Sequence, residues 1–292
     1  MPLIHARPFR IRSYECDAYG HMYNANYLRL MQETAFDASA EAGYDEARYS
    51  AMQRTWLIHE TDIEYLLPLH YNDSIEIKTW VVDFRRATSR RVYEFWNTRS
   101  GELAARAYTD WVFLDTTTNR PAKIPDEMGP AFFPDGLPET FPARKPFPTA
   151  PPAPAGTYRM RRRAVWQDID QMRHVNNAVY LDYVTECGMQ VVAAHGWPVS
   201  RMLDVGFGIL LRRNQVQYLQ PAILDDELEI ATWFSNPRFA MATRHYEIKR
   251  ASDGAILARV HALGVWVDLN SGRPIRIPKE MLEDFTSNMA AE

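Results

Sequence analysis

The sequence predicts an α+β protein in which one domain occurs twice. Three observations carry that expectation. One motif appears in both halves, each half shows a single long helical pattern followed by four strand patterns, and a proline-rich stretch separates the two. The first motif is Asp17-Ala18-Tyr19-Gly20-His21-Met22-Tyr23-Asn24-Ala25-Asn26-Tyr27. The second is Asp170-Gln171-Met172-Arg173-His174-Val175-Asn176-Asn177-Ala178-Val179-Tyr180. Sliding the chain so that Asp17 meets Asp170 keeps register to Met128 and Met281 without a gap, and roughly three in ten of the paired positions are identical. Tyr65 then meets Tyr218, Pro68 meets Pro221, Trp80 meets Trp233 and Asp115 meets Asp268.

The elements follow in order. Phe9 to Glu15 alternates apolar and polar side chains and predicts a short strand. Asn26 to Ala42 carries Tyr27, Leu30, Met31, Thr34, Ala35 and Ala38 at helical spacing, with Asn24 as the expected N-cap and Gly43 as the stop. Leu57–Leu67, Ser74–Asp83, Ser89–Asn97 and Glu102–Leu114 have β-branched and aromatic residues at period two. Asn72-Asp73 and Ser100-Gly101 supply turns. The second half repeats this: a strand over Tyr158–Trp166, a helix from about Ala178 to His195 stopping at Gly196, and strands over Gly208–Leu219, Glu227–Phe234, Ala242–Arg250 and Ile256–Val267.

Residues 129–157 hold nine of the nineteen prolines, from Pro130 to Pro154, and read as an extended linker that forms no core. The expected domains are therefore 1–128 and 158–292. A chain of 292 residues suits two such domains. A hydrophobic content of 46% with 24% charged residues is that of a globular protein, and a net charge of −4 argues against nucleic-acid binding driven by global charge. Two cysteines, Cys16 and Cys187, make no disulfide framework. No apolar run reaches membrane-spanning length and the first residues lack an apolar signal core, so no membrane contact and a cytoplasmic location are expected.

The candidate site residues are Asp17, His21 and Asn24 in the first half, and Asp170, His174 and Asn177 in the second. Each set places a carboxylate, an imidazole and an amide just ahead of a helix start. There the first backbone N–H groups, around Asn24–Asn26 and Asn177–Val179, lack intrahelical acceptors. That is equipment for attacking a carbonyl and receiving the charge pushed onto its oxygen. The bland reading is helix capping; recurrence of the whole set in both halves favours function. Glu33 and Glu186 match across the repeat but fall on the opposite helix face, as structural residues. The remaining histidines, His59, His70, His195, His245 and His261, show no ligand spacing, so neither metal nor cofactor is expected. The basic runs Arg85-Arg86, Arg90-Arg91, Arg161-Arg162-Arg163 and Arg212-Arg213 read as solvated faces.

One helix against an antiparallel sheet, entered through D-x-x-G-H-x-Y-N-A-N-Y, resembles the hotdog fold of the thioesterase superfamily. The tandem arrangement resembles the acyl-acyl carrier protein (acyl-ACP) thioesterases. Ile11-Arg12-Ser13-Tyr14-Glu15, Gln32-Glu33-Thr34-Ala35, Thr79-Trp80-Val81 and Trp166-x-Asp-Ile-Asp170 running on to His174-Val175-Asn176-Asn177 carry the likeness. It implies two hotdog halves packed as an internal pseudo-dimer, with the molecule a monomer or a homodimer. It also implies hydrolysis of fatty acyl thioesters of acyl carrier protein. An acyl-CoA or aromatic-CoA thioesterase is the alternative, and a non-catalytic acyl-binding protein a second one. In related acyl-CoA thioesterases the aspartate at the position of Asp17 is base or nucleophile. In acyl-ACP thioesterases the second-half motif is D-x-N-x-H, followed by a carboxylate or cysteine on a later strand. Here Asp170 and His174 match, Met172 replaces the asparagine, and Pro221-Ala222 stand where the later residues are expected. The acyl chain would lie in an apolar tunnel between helix and sheet. A basic patch near its mouth would steer the acidic carrier.

Overall fold

The computed structural model describes residues 1–141 and 143–291, in two compact units, 1–146 and 147–292. In the first unit β1 (His5–Arg10), β2 (Arg54–Tyr65), β3 (Ser74–Phe84), β4 (Thr88–Asn97) and β5 (Leu103–Asp115) form an antiparallel sheet in the order β1-β3-β4-β5-β2. A two-residue strand, β6 (Arg120–Pro121), pairs with β5. The long helix α1 (Asn24–Glu41) buries Ala25, Tyr27, Leu28, Met31, Thr34, Ala35 and Ala38. Alanines along that stripe let helix and sheet approach closely, and Gly43 ends the helix in the left-handed region at φ +81°. Arg7 on β1 ties strand to helix through Asp37 at 2.5 Å and Glu33 at 3.7 Å, so Glu33 holds α1 from its exposed face.

The second unit repeats the plan with β7 (Tyr158–Arg163), α4 (Val179–Ala194), β8 (Phe207–Tyr218), β9 (Glu227–Arg238), β10 (Met241–Arg250) and β11 (Ile256–Asp268), in the order β8-β11-β10-β9-β7. Each unit is thus α+β, one long helix against five antiparallel strands: the hotdog arrangement twice in one chain. Short helices α2 (Glu46–Ala51) and α5 (Val199–Val205) follow the long ones, and α6 (Lys279–Asp284) packs Met281 into the second core; the sequence patterns anticipated none of these three.

Three expectations need correction. The strand expected over Phe9–Glu15 ends at Arg10. The chain turns at Ser13–Glu15 because the Glu15 carboxylate accepts the Arg12 N–H at 2.8 Å. Likewise β7 stops at Arg163, and Asp168 closes the next turn by accepting the Val165 N–H at 3.0 Å. Second, the proline-rich stretch does contribute to a core. It opens with helix α3 (Met128–Phe132), and Phe132 and Phe133 are buried with Tyr44, Val81 and Phe113. Third, Arg90-Arg91 is no solvated run. Arg90 makes a bidentate pair with Asp110 at 2.7 Å for both bonds, and Arg91 points to the helix side and is buried.

The rest of the proline-rich stretch is docked as well. In the first unit Arg144 pairs with Asp83 and, at 3.4 Å, with Asp110. These acids lie on the sheet face away from α1, beside Glu60, whose carboxyl is pushed up to about 7 by burial and by Asp110. In the second unit Phe147 packs at a tilt against His261, ring centres 4.9 Å apart, and the Pro151 carbonyl accepts the Trp233 indole N–H at 3.1 Å. Beneath them His245 and His261 meet edge to face at 4.6 Å, and the Ser235 hydroxyl bonds His245 Nε2 at 2.8 Å. Burial lowers both imidazoles from the ordinary 6.5, His245 to about 3 and His261 to about 4. A depressed pKa contributes stability that is full above the unfolded value and lost as pH falls towards the folded one. The unfolding midpoint should therefore drop as pH falls from about 6.5 to about 4, and the His261→Gln variant should show a shallower fall in urea or thermal melts over that window.

Candidate active site

Each motif forms a tight loop closed on its own aspartate. In the first unit the Asp17 N–H donates to the His21 carbonyl at 2.8 Å, and the Gly20 N–H donates to the Asp17 carbonyl at 3.0 Å. Asp17 Oδ1 accepts the Tyr19 N–H at 2.9 Å and the His21 N–H at 3.1 Å. In the second unit the Asp170 N–H donates to His174 at 2.9 Å, the Arg173 N–H to Asp170 at 2.9 Å, and Asp170 Oδ1 accepts the Met172 N–H at 2.9 Å. The turn needs a left-handed residue at its third step. Gly20 takes it at φ +77°, while Arg173 takes it at φ +62° with the strain of a side chain. In both loops the second carboxylate oxygen, Oδ2, takes no hydrogen bond from the described residues. One oxygen fixes the rotamer and the other stays outside the loop's hydrogen bonds.

The helix entrances differ. Asn24 is the first residue of α1, not its cap. Tyr23 is the N-cap and brings no capping side chain. In the second unit Asn176 closes the entrance ahead of the N-cap Ala178, its Oδ1 accepting the Ala178 N–H at 2.9 Å and its carbonyl accepting the Val179 N–H at 2.9 Å. So Ala178 spends its N–H on a side chain. Ala25, the matching residue, keeps its N–H without an acceptor among the described residues, whereas the Asn26 N–H is taken by Tyr23 at 2.9 Å. The asparagines Asn24 and Asn177 are held through their carbonyls, by the Tyr65 hydroxyl at 3.4 Å and the Tyr218 hydroxyl at 2.9 Å. Those tyrosines meet Tyr27 and Tyr180 edge to face at 5.0 and 5.4 Å, so the helix start is tied to the end of a strand in both copies.

The loops also rest on the segment that follows that strand. The Met22 N–H donates to Leu69 at 2.6 Å and the Val175 N–H to Ala222 at 2.8 Å. Pro221 and Ala222, where the related enzymes are expected to carry a carboxylate or cysteine, therefore do border the loop, with no side chain able to assist it. The first unit differs by one residue: after Leu69 comes His70, whose ring meets His21 edge to face at 5.2 Å. His70 is steadied by Asp73, which accepts its backbone N–H at 2.8 Å and lies 3.8 Å from Nδ1. In the second unit Ile223 replaces it. His70 escapes motif reading because it is distant in sequence from His21, and only strand pairing joins them. Burial pushes the His21 imidazole below its ordinary value, against the opposing pull of Asp17, and His70 adds to the lowering. His21 is thus neutral at neutral pH and able to donate from one nitrogen and accept at the other. His174 has no such neighbour.

The remaining candidates fall outside the loops. Cys187 is buried against the Ile230 carbonyl, and burial pushes its thiol up to about 12. Among the described residues no group of three or more His, Cys, Asp or Glu side chains could hold a metal ion. No helix among them is long and apolar enough to cross a membrane.

The class that this fold and these paired loops define has a family counterpart. Residues 11–132 and 164–285 each match the family model of the thioesterase-like superfamily, and the chain belongs to that superfamily. A chloroplastic acyl-[acyl-carrier-protein] hydrolase of Cuphea viscosissima is 27% identical over 193 residues, covering 63% of this chain and 47% of that protein. A chloroplastic dodecanoyl-[acyl-carrier-protein] hydrolase of Cinnamomum camphora is 25% identical over 194 residues, covering 63% and 50%. The chain spans about half the length of these relatives. Among solved structures, a Lactobacillus plantarum protein provisionally described as an oleoyl thioesterase superposes with a TM-score of 0.78 at 19% identity, covering 90% of this chain and 96% of that one. The 12:0-ACP thioesterase of Umbellularia californica gives 0.67 at 19%, covering 89% and 93%. At that identity the structures establish a shared fold.

The capping geometry has a direct test. Asn176→Ala should lower stability by about 1 kcal/mol in chemical denaturation, as loss of an N-cap does, whereas Asn177→Ala, which leaves the carbonyl bonded to Tyr218, should cost less.

Proposed function

We propose that the protein is a thioesterase that releases fatty acids from acyl-acyl carrier protein. One observation carries the reading. In a chain of the thioesterase-like superfamily, an aspartate with one carboxylate oxygen locked by its loop and the other unbonded stands four residues before a neutral histidine, at the entrance of the long helix. The names of the relatives support the carrier-protein substrate. Asp17 Oδ2 takes a proton from water as it attacks the thioester carbon, or attacks that carbon itself, giving an anhydride that water then opens. The Ala25 N–H is the donor offered to the carbonyl oxygen as it becomes an oxyanion. The carbon–sulfur bond then breaks, and the proton given up by the attacking water reaches the departing thiolate by relay through neutral His21, which accepts at one ring nitrogen and donates from the other.

The first unit carries the stronger site in this reading. It has a free N–H at Ala25 and a second imidazole at His70, where the second unit has a capped Ala178 and Ile223. Asp170, His174 and Asn177 form the weaker or silent copy. Hydrolysis of acyl-CoA is the second reading. It is favoured by Met172, which is exposed and stands where acyl-ACP thioesterases carry an asparagine amide.

Asp17→Asn should lower kcat by about 10²–10⁴, the usual contribution of a general base, and Asp170→Asn should lower it less. Parallel assays on acyl-ACP and acyl-CoA of one chain length decide the carrier; faster turnover of the CoA thioester would displace the first reading. A double variant that hydrolyses as fast as the parent would remove both aspartates from the catalytic role.

A further inference from the structure

The helix-facing side of the first sheet is expected to be greasy, yet it carries a cation. Arg91, in the middle of β4, pairs in register with Val81 on β3 and Thr109 on β5, on the face that also presents Tyr93, Phe95 and Ile77 to the interior. Its relative exposure is 7%. It has one hydrogen bond, from Nη1 to Thr79 Oγ1, at a long 3.5 Å. Its other neighbour is the face of Phe132, 6.0 Å from the guanidinium carbon, with the phenols of Tyr49 and Tyr93 nearby. No carboxylate among the described residues pairs with it. The contrast with Arg90 is complete: one residue away and on the opposite face, that arginine has a bidentate aspartate.

Burying a guanidinium without a counter-charge is strongly unfavourable, and native structures retain such a group where something offsets the cost. Burial lowers the Arg91 pKa, as expected for a cation with no anion beside it. Arg244 stands at the matching position of the second unit and is also without an acid, but the Asn288 side chain accepts from it at 3.3 Å and Phe234 and Phe285 flank it. In the first unit the only protein acceptor among the described residues is a hydroxyl at the limit of bonding distance.

Position adds to the argument. Tyr65, Phe95 and Ala105 form the sheet row that meets Tyr27 at the start of α1, where the candidate loop enters. Arg91 lies four residues further along β4 from Phe95, roughly 13 Å deeper at about 3.3 Å per residue. An acyl chain entering beside α1 and running along the strands would bring its far end to the guanidinium.

We propose that Arg91 is a binding residue for acyl groups whose end remote from the thioester carries a carboxylate, so that the preferred substrates are half-thioesters of dicarboxylic acids. The proposal rests on the thioesterase reading for its first half, hydrolysis, and on the buried cation alone for its second, recognition. A carboxylate supplies the missing charge and matches the guanidinium fork with two parallel bonds. Thr79 and the Tyr93–Thr109 hydroxyl pair, 3.1 Å apart, provide further polar neighbours on the same face.

The test uses the full chain and two readouts. The first compares kcat/KM for dodecanoyl and dodecanedioyl thioesters of one carrier. The second measures calorimetric binding of free dodecanedioic acid against dodecanoic acid, which needs no catalysis. The parent should favour the ω-carboxylated member at least tenfold in both. Arg91→Met should abolish that preference, Arg91→Lys should retain part of it, and Arg244→Met should leave it intact. Equal or reversed preference in the parent overturns the proposal without any variant, as does a preference that survives Arg91→Met. If neither thioester is hydrolysed but the diacid binds in an Arg91-dependent way, the hydrolytic reading fails while the recognition site stands. If both thioesters are hydrolysed with no discrimination, the reverse holds.

Discussion

The structure depends on a short loop that closes on its own aspartate. One carboxylate oxygen and one backbone N–H of Asp17 are both bonded within five residues, and Asp170 repeats the closure. Such a loop has little freedom left, so it delivers the chain to the helix start at a fixed angle. The tyrosine that grips the helix-entrance carbonyl and the carbonyl past the strand end that accepts the loop N–H complete a small frame around it. Sheet, loop and helix are thereby locked at one point, and the candidate side chains Asp17 and His21 stand on that frame.

Much of this was legible in the residues. The helix stripe, the strand alternation and the Gly43 and Gly196 stops are local patterns, and the two long helices and the four strands after each fall within a few residues of the expected bounds, while the opening strand His5–Arg10 does not. Asp17 and Asp170 stood out because everything that positions them lies within their own loop. What escaped notice is what only folding brings together. His70 reaches His21 through strand pairing. Phe132 and Phe133 sit in a proline-rich stretch whose composition speaks against a core, yet two aromatics suffice to anchor it. Asn176 closes the second helix entrance because its side-chain oxygen meets the Ala178 N–H, a match finer than any periodicity. Arg91 hid in a basic doublet. Alternation along a strand sends neighbouring arginines to opposite faces, one to an aspartate and one to the interior.

The two units have kept the frame and changed its furnishings. Both retain the closed loop, the tyrosine grip and the edge-to-face tyrosine pair. They differ at residues around the loop and the helix entrance: Tyr23 against Asn176, Tyr19 against Met172, His70 against Ile223. On the outer sheet faces the difference is larger still. The first unit carries the ion pairs of Asp83, Asp110, Arg90 and Arg144, and the second a neutral histidine pair under Phe147. Arg173 shows how far the drift has gone. It holds, at a strained φ, the turn that Gly20 makes freely.

Covalent fusion is what permits such drift. In a symmetric assembly of identical chains every substitution arrives at both entrances at once, so a change that improves one and harms the other is never sampled separately. A single polypeptide holding both copies lifts that restriction. One entrance can be tuned while its twin is recruited for bulk, and the asparagine that closes the second doorway while the first stays open is the mark of an inheritance divided unequally between siblings.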